Sequence, residues 1–394
     1  MDEVELRREA VRRHQAGEST AEVAAVLGRS DRWVRKWTAR HAAAEGGQDW
    51  AQSRSRAPKH SPNRTAQAVR DQVLAVRAKL EVNPQSQYGP LAIAWELQLL
   101  GVDPVPEIWT INRILAQAGV TRRRGRQPGY RSKGAPYPHP THQGPGEYHQ
   151  ADLIGPRNLD GGIGFHAFNL IDVGTHTAGS EIIDILRPTT IAGSLATIWR
   201  RVGIPKVIQF DNHSNLRGAI PPRASTFGPV VATCLDLGVV ARFAPLREPW
   251  RNGVVEHFND VWDKSFFRTA RYPDLDILRA RTATFEIFHN ARHRYSAHHG
   301  ASPNEMRTSL AVHYPPDGYQ PPTRLPAKGR IEAVRYVRSD GLVNLWGHKI
   351  TLPDEQTYQY VTAIISVRAK QLRVITRHGE IIHADHFDID RHLR

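Results

Sequence analysis

From Gly146 to Phe267 short apolar runs of strand length alternate with helical stretches, and three acids fall at their joints. Asp152 closes Tyr148-His149-Gln150-Ala151-Asp152, and Asp211 closes Val207-Ile208-Gln209-Phe210-Asp211. Glu256 lies inside Arg251-Asn252-Gly253-Val254-Val255-Glu256-His257-Phe258-Asn259. The pattern predicts strands over 147–153, 165–173 and 178–185, joined as a meander by turns at Asp160-Gly161-Gly162 and Gly174-Thr175. A helix over 190–202 then leads through Gly203 and Pro205 to a strand over 206–210. A helix over 229–237, a strand over 240–245 and a helix from about 252 to 268 carrying Glu256 follow. A meander followed by alternating helix and strand makes an α/β layer structure on a mixed sheet.

Two acids at strand ends and one on a helix can converge on one point. Converging carboxylates repel one another, so the cluster is costly unless cations neutralise it. Hard oxygen ligands with no cysteine nearby suit Mg²⁺ or Mn²⁺. Two such ions about 4 Å apart support phosphoryl transfer, with one carboxylate bridging and the others holding the outer sides. Asp152 is the candidate bridge, and Asp211 and Glu256 the outer ligands. Each acid alone says little: an Asp at a strand end is more often a turn former.

The remaining sequence sets the context. A formal charge of +14 over 394 residues favours a polyanionic partner, with nucleic acid ahead of an acidic membrane surface. A single cysteine, Cys234, excludes an internal disulfide and a multi-cysteine zinc site. No apolar run reaches the roughly 18 residues of a membrane span, so a place in the cytoplasm, on the nucleoid when DNA is bound, is expected.

Residues 1–45 read as a helix-turn-helix unit. Helices over 4–15, 20–27 and 31–41 are separated at Gly17 and Gly28. Ser19 with Glu22 forms a capping box, and Ser30 caps the third helix. Trp33, Val34 and Trp37 supply that helix's apolar side, while Arg32, Arg35 and Lys36 would face a DNA major groove. After a linker over 46–63, residues 64–120 read as a second, winged-helix-like unit. Its last helix leaves Thr110, Asn112, Arg113 and Gln117 outward, where they could reach bases or phosphates. Residues 121–145 form a basic, proline-rich linker in which Arg122, Arg123 and Arg124 suit a phosphate backbone. The catalytic core spans 146–313 and a linker 314–329. Over 330–394, alternating residues with turns at Asp340-Gly341, Ala369-Lys370 and His378-Gly379 predict a small β-barrel of SH3-like size.

Three segments resemble the catalytic core of the retroviral-integrase superfamily, above all bacterial insertion-sequence transposases. They are Gln150-Ala151-Asp152-Leu153-Ile154-Gly155, Phe210-Asp211-Asn212, and the run from Pro249 to Asn259. The last is the most specific, with Pro, Asn-Gly and a helical Glu followed by an aromatic two positions on. The stretch Arg294–Pro303, the tandem helix-turn-helix units and the terminal β-module also resemble the family's arrangement.

The resemblance implies a ribonuclease-H-like fold and an Asp-Asp-Glu triad holding two Mg²⁺ or Mn²⁺ ions. The implied activity is a transposase that binds element ends, cleaves their 3′ ends and joins them to target DNA. It also implies oligomers on double-stranded DNA and allows an ATPase helper protein. Arg251, Asn252 and Lys264, near the third acid, are candidates for holding phosphates. Two departures stand out. Residues 212–255 make a longer interval than the family has between its second and third acids, which leaves Glu248 as a competitor to Glu256. A loop insertion over 218–226 would account for the excess. His213 stands where the family usually has Gly. A regulator that binds DNA without cutting it, and a simple ribonuclease-H-type nuclease, are the rival readings.

Overall fold

The computed structural model describes residues 2–44, 49–55, 65–121, 134–218 and 226–393. They form two compact units, Met1–Arg64 and Thr65–Arg394.

In the first unit α1 (Glu3–Gln15), α2 (Thr20–Leu27) and α3 (Asp31–Ala42) form where capping dictates. Asp2, Ser19 and Ser30 each accept a backbone N–H of the first turn, and Gly28 ends α2 in the left-handed conformation. Ala10, Val23, Ala24 and Val34 make the small core. Trp37 is buried too, with the Arg7 guanidinium 4.1 Å above its ring. Arg32, Arg35 and Lys36 are exposed along α3, as expected.

The second unit begins with α4 (Gln67–Val82), α5 (Pro90–Leu99) and α6 (Ile108–Gln117), packed through Val73, Val76, Ile93, Leu97, Ile111 and Ile114. Thr110 was expected outward but is buried, because it follows the apolar stripe of α6; Asn112 and Arg113 are exposed.

The sheet is built from β1 (Tyr148–Asn158), β2 (Gly164–Asp172), β3 (Ala178–Ile183), β4 (Val207–Phe210) and β5 (Val240–Phe243). Strands β1, β2 and β3 are an antiparallel meander, and β4 and β5 add in parallel on the other side of β1. The resulting order, 3-2-1-4-5, is that of a ribonuclease-H-like core. Helices α7 (Pro188–Val202), α8 (Ser214–Arg217) and α9 (Pro229–Asp236) contribute to the core on one face. Helices α10 (Gly253–Ser265) and α11 (Leu275–Arg292) cover the other, and α12 (Pro303–Arg307) packs on α11. Strand β2 alternates accordingly: Phe168 and Leu170 enter the first core, Phe165, Ala167 and Ile171 the second.

Two expectations are corrected. Strand β1 continues to Asn158, because the meander with β2 extends past a register shift between Ile154 and Arg157. Asp152 is therefore within β1, although pairing of β1 with β4 ends at Gln150 and Gln209.

The tail is not a free-standing barrel. Its strands are β6 (Arg330–Tyr336), β7 (Leu342–Leu345), β8 (His348–Thr351), β9 (Tyr360–Ser366), β10 (Gln371–Ile375) and β11 (Ile381–His386). Strand β6 pairs in parallel with β5, and β9, β10 and β11 follow, so one nine-stranded sheet runs from core to tail. Only β7 and β8 form a separate hairpin. The edge of β5 would otherwise expose unpaired backbone, and β6 satisfies it. Tail residues Val343, Leu345, Trp346 and Ile350 join the same apolar cluster as Phe210, Phe227 and Phe243.

Candidate active site

The site is assembled by two glutamines in register. Gln150 on β1 faces Gln209 on β4, and each stands two residues before an acid. Both side-chain amides donate to the carbonyl of Arg251, at 3.2 Å and 2.9 Å. The Gln150 Oε1 accepts from the N–H groups of Val254 (3.0 Å) and Val255 (3.2 Å), filling acceptor-seeking positions in the first turn of α10. Gln209 also donates to Asn252 Oδ1 at 3.0 Å, and Asn252 Nδ2 donates to the Ala151 carbonyl at 3.3 Å. A short 3-10 turn, Pro249–Asn252, is thus gripped by both acid-bearing strands, and α10 starts immediately after it.

Asp152 lies within electrostatic reach of both Asp211 and Glu256. The carboxyl of Asp152 is pushed up to about 6, first by burial and then by the charges of Asp211 and, more weakly, Glu256. Two hydrogen bonds favour its charged form: from the N–H of Leu153 (2.9 Å) and from Asn259 Nδ2 (2.8 Å), one turn beyond Glu256 on α10. Asn259 in turn accepts from Asn169 Nδ2 at 2.9 Å, and Asn169 from the Ser180 hydroxyl at 2.7 Å. Asp211 accepts the backbone N–H of His213 at 2.9 Å. Glu256 is half-buried in the first turn of α10, and burial, with Asp260, raises its pKa.

The donor set, all carboxylate, suits a hard divalent ion, and the unneutralised repulsion at Asp152 is what such an ion would relieve. Yet among the described residues no three His, Cys, Asp or Glu side chains are posed as a ready metal cage. The carboxylates of Asp152 and Asp211 are instead turned onto protein N–H groups.

Glu248 lies in different surroundings. It is 1% exposed, accepts the Tyr360 hydroxyl at 2.6 Å and the Arg251 Nε at 3.1 Å, and so belongs to a buried network at the β9 edge. The same geometry gives two phosphate-binding candidates partners within the protein. Arg251 spends its guanidinium on Glu248 and Tyr360, 4.0 Å above the Tyr137 ring, and Asn252 is 3% exposed with its amide used in the grip. Lys264 is exposed and paired with Asp260. Arg113 is exposed with its guanidinium 5.1 Å from the Trp109 ring centre. Arg122, Arg123 and Arg124, and most of the expected insertion over 218–226, lie outside the described residues.

His213 caps α8, accepting the Asn215 N–H at 3.3 Å. The two glutamines and Asn259 were missed as site residues. Their signal was present in the repeated Gln-x-Asp spacing of 150–152 and 209–211, and in an amide three positions after Glu256.

Residues 1–49 match the family described as a homeodomain-like domain. No curated protein matches the chain at a significant level. Among solved structures, the HTLV-2 integrase catalytic core domain in complex with magnesium is similar at 11% identity and a TM-score of 0.32, over 41% of this chain and 97% of that one. The catalytic core domain of BIV integrase is similar at 14% identity and a TM-score of 0.30, over 41% of this chain and 93% of that one. The protein thus carries a homeodomain-like helix-turn-helix unit ahead of a mixed α/β core of ribonuclease-H-like strand order. No helix among the described residues is long and apolar enough to cross a membrane.

Proposed function

We propose that the chain is a DNA transposase or integrase whose chemistry is metal-dependent cleavage and joining of DNA strands. The observation that supports this reading is the largely buried Asp152 carboxyl, disfavoured as an anion by burial and by the charges of Asp211 and Glu256, beside a grip that uses neither Asp152 nor Glu256. The three carboxylates would hold a pair of divalent ions, Mg²⁺ or Mn²⁺, which supply an activated water or 3′-hydroxyl and stabilise the leaving oxygen. Asn259 orients Asp152, and the glutamine grip fixes where Glu256 enters. The helix-turn-helix of residues 1–49, through Arg32, Arg35 and Lys36, would read double-stranded element ends. Joining two ends requires more than one copy of the chain on DNA.

The test is strand cleavage and transfer on a duplex carrying the element ends, with Mg²⁺ or Mn²⁺. Wild type should cut and join, and Asp152→Asn, Asp211→Asn and Glu256→Gln should each abolish both steps. Activity surviving Asp211→Asn would overturn the triad. A second reading, a regulator that binds DNA without cutting, draws on the absence of a ready cage among the described residues. It predicts end binding with no cleavage in either metal.

A further inference from the structure

The tail reaches the site through Asn212, the neighbour of Asp211. The Asn212 Nδ2 donates to the Ala244 carbonyl at 2.6 Å. Its Oδ1 accepts from two tail residues, Arg335 Nη2 at 3.0 Å and Trp346 Nε1 at 3.4 Å. Arg335 is 4% exposed on β6 and, among the described residues, pairs with no carboxylate: its remaining N–H groups go to the carbonyls of Asn344, Ala244 and Val334. A buried guanidinium held only by neutral oxygens is an expensive way to stabilise a fold. Trp346 is expensive for another reason. With Gly347 it forms the two-residue turn between β7 and β8, both residues at positive φ, +53° and +106°. That turn favours Asn-Gly, and a bulky residue there is strained. The strain places the indole against Phe227 and Phe243, with its N–H on Asn212.

We propose that Arg335 and Trp346 are positioning residues, through which the C-terminal strands set the Asn212 amide and thereby the carboxylate of Asp211 for metal binding. The tail is then part of the site's construction rather than an appended binding module. This rests on the reading of Asp211 as a metal ligand.

The experiment is Mn²⁺ titration of the full chain without DNA, read by the spin-resonance signal of free Mn²⁺, together with thermal melting of each variant. Arg335→Met and Asn212→Ala should each weaken Mn²⁺ binding by roughly tenfold, the scale of losing an orienting group behind a metal ligand. The double variant should be no worse than either single one, because both break the same link. Trp346→Phe keeps the ring packing, loses the N–H, and should weaken binding by a few-fold. If Arg335→Met does not melt cooperatively, Trp346→Phe and Asn212→Ala carry the cycle. Additive effects, or wild-type Mn²⁺ affinity in a folded Arg335→Met chain, overturn the proposal. Asp211→Asn separates the two levels: if it leaves Mn²⁺ affinity unchanged, the site itself is wrong. If it abolishes binding while the tail variants do not, only the positioning role fails.

Discussion

The charge cluster makes a prediction about stability that needs no DNA. An Asp whose midpoint moves from 3.8 to about 6 on folding costs the folded state about 3 kcal/mol once ionised, at about 1.4 kcal/mol per pH unit. The sign follows from linkage. Below pH 3.8 the group is protonated in both states and contributes nothing. Between 3.8 and 6 the unfolded chain ionises first, so stability falls as pH rises, and above 6 the whole penalty is present. Asp152→Asn removes the charge but turns one accepting oxygen into a donor, which forfeits one hydrogen bond, from Leu153 or Asn259. That loss is worth about 1 kcal/mol, and solvent reaching the partly open site trims the gain further. The expected net is stabilisation of about 1–2 kcal/mol at pH 7.5 in EDTA, reversing to a small loss at pH 3.5. Urea unfolding of both proteins at the two pH values measures it, and the difference from wild type cancels every titrating group not coupled to Asp152. Mg²⁺ should then stabilise wild type and leave Asp152→Asn unmoved. A substitution that is equally harmful at both pH values would refute the argument that the acids repel.

Glu248→Gln should lower stability by about 1–3 kcal/mol, since it alters a buried charged network, while its folded fraction keeps cutting DNA. Glu256→Gln should do the reverse, and the paired melting and cleavage assays read both. Gln150→Ala removes the hydrogen bonds to Arg251, Val254 and Val255 and should cost about 2 kcal/mol, with strand-transfer yield falling at temperatures where the protein is still folded. Arg35→Ala and Lys36→Ala should each weaken end binding and lower the slope of log affinity against log salt by about 1, measured by fluorescence anisotropy.

Much of this was legible in the chain because local rules and global fold agreed. Ser19, Glu22 and Ser30 announced the helices of the first unit, and their caps form as written. The meander turns and Pro- and Gly-bounded helices placed β1 to β5 within a few residues. What failed was partnership. The alternation of Ile331, Ala333 and Val334 says that β6 is a strand, but not that its neighbours are β5 and β9 rather than β7. Pairing is decided by which edge is left open, and the open edge of β5 is a property of the folded core. Thr110 was misplaced because a small polar residue beside an apolar stripe satisfies either face.

The two candidates for the third acid, Glu248 and Glu256, differ in their surroundings in a way that spacing along the chain does not show. Glu256 comes within electrostatic reach of Asp152 where the 3-10 turn before α10 is held by β1 and β4, through Gln150, Gln209 and Asn252. None of these bonds comes from a loop between the second and third acids, and the closure entropy of a loop grows slowly with its length. A longer interval between the second and third acids is therefore compatible with the same placement, whereas a change at Gln150 or Gln209 should move it. Glu248 lies on the far side of the same turn, pulled toward Tyr360. A sequence of this kind is better searched for two Gln-x-Asp segments on paired strands and an Asn-Gly helix start than for a fixed interval between acids.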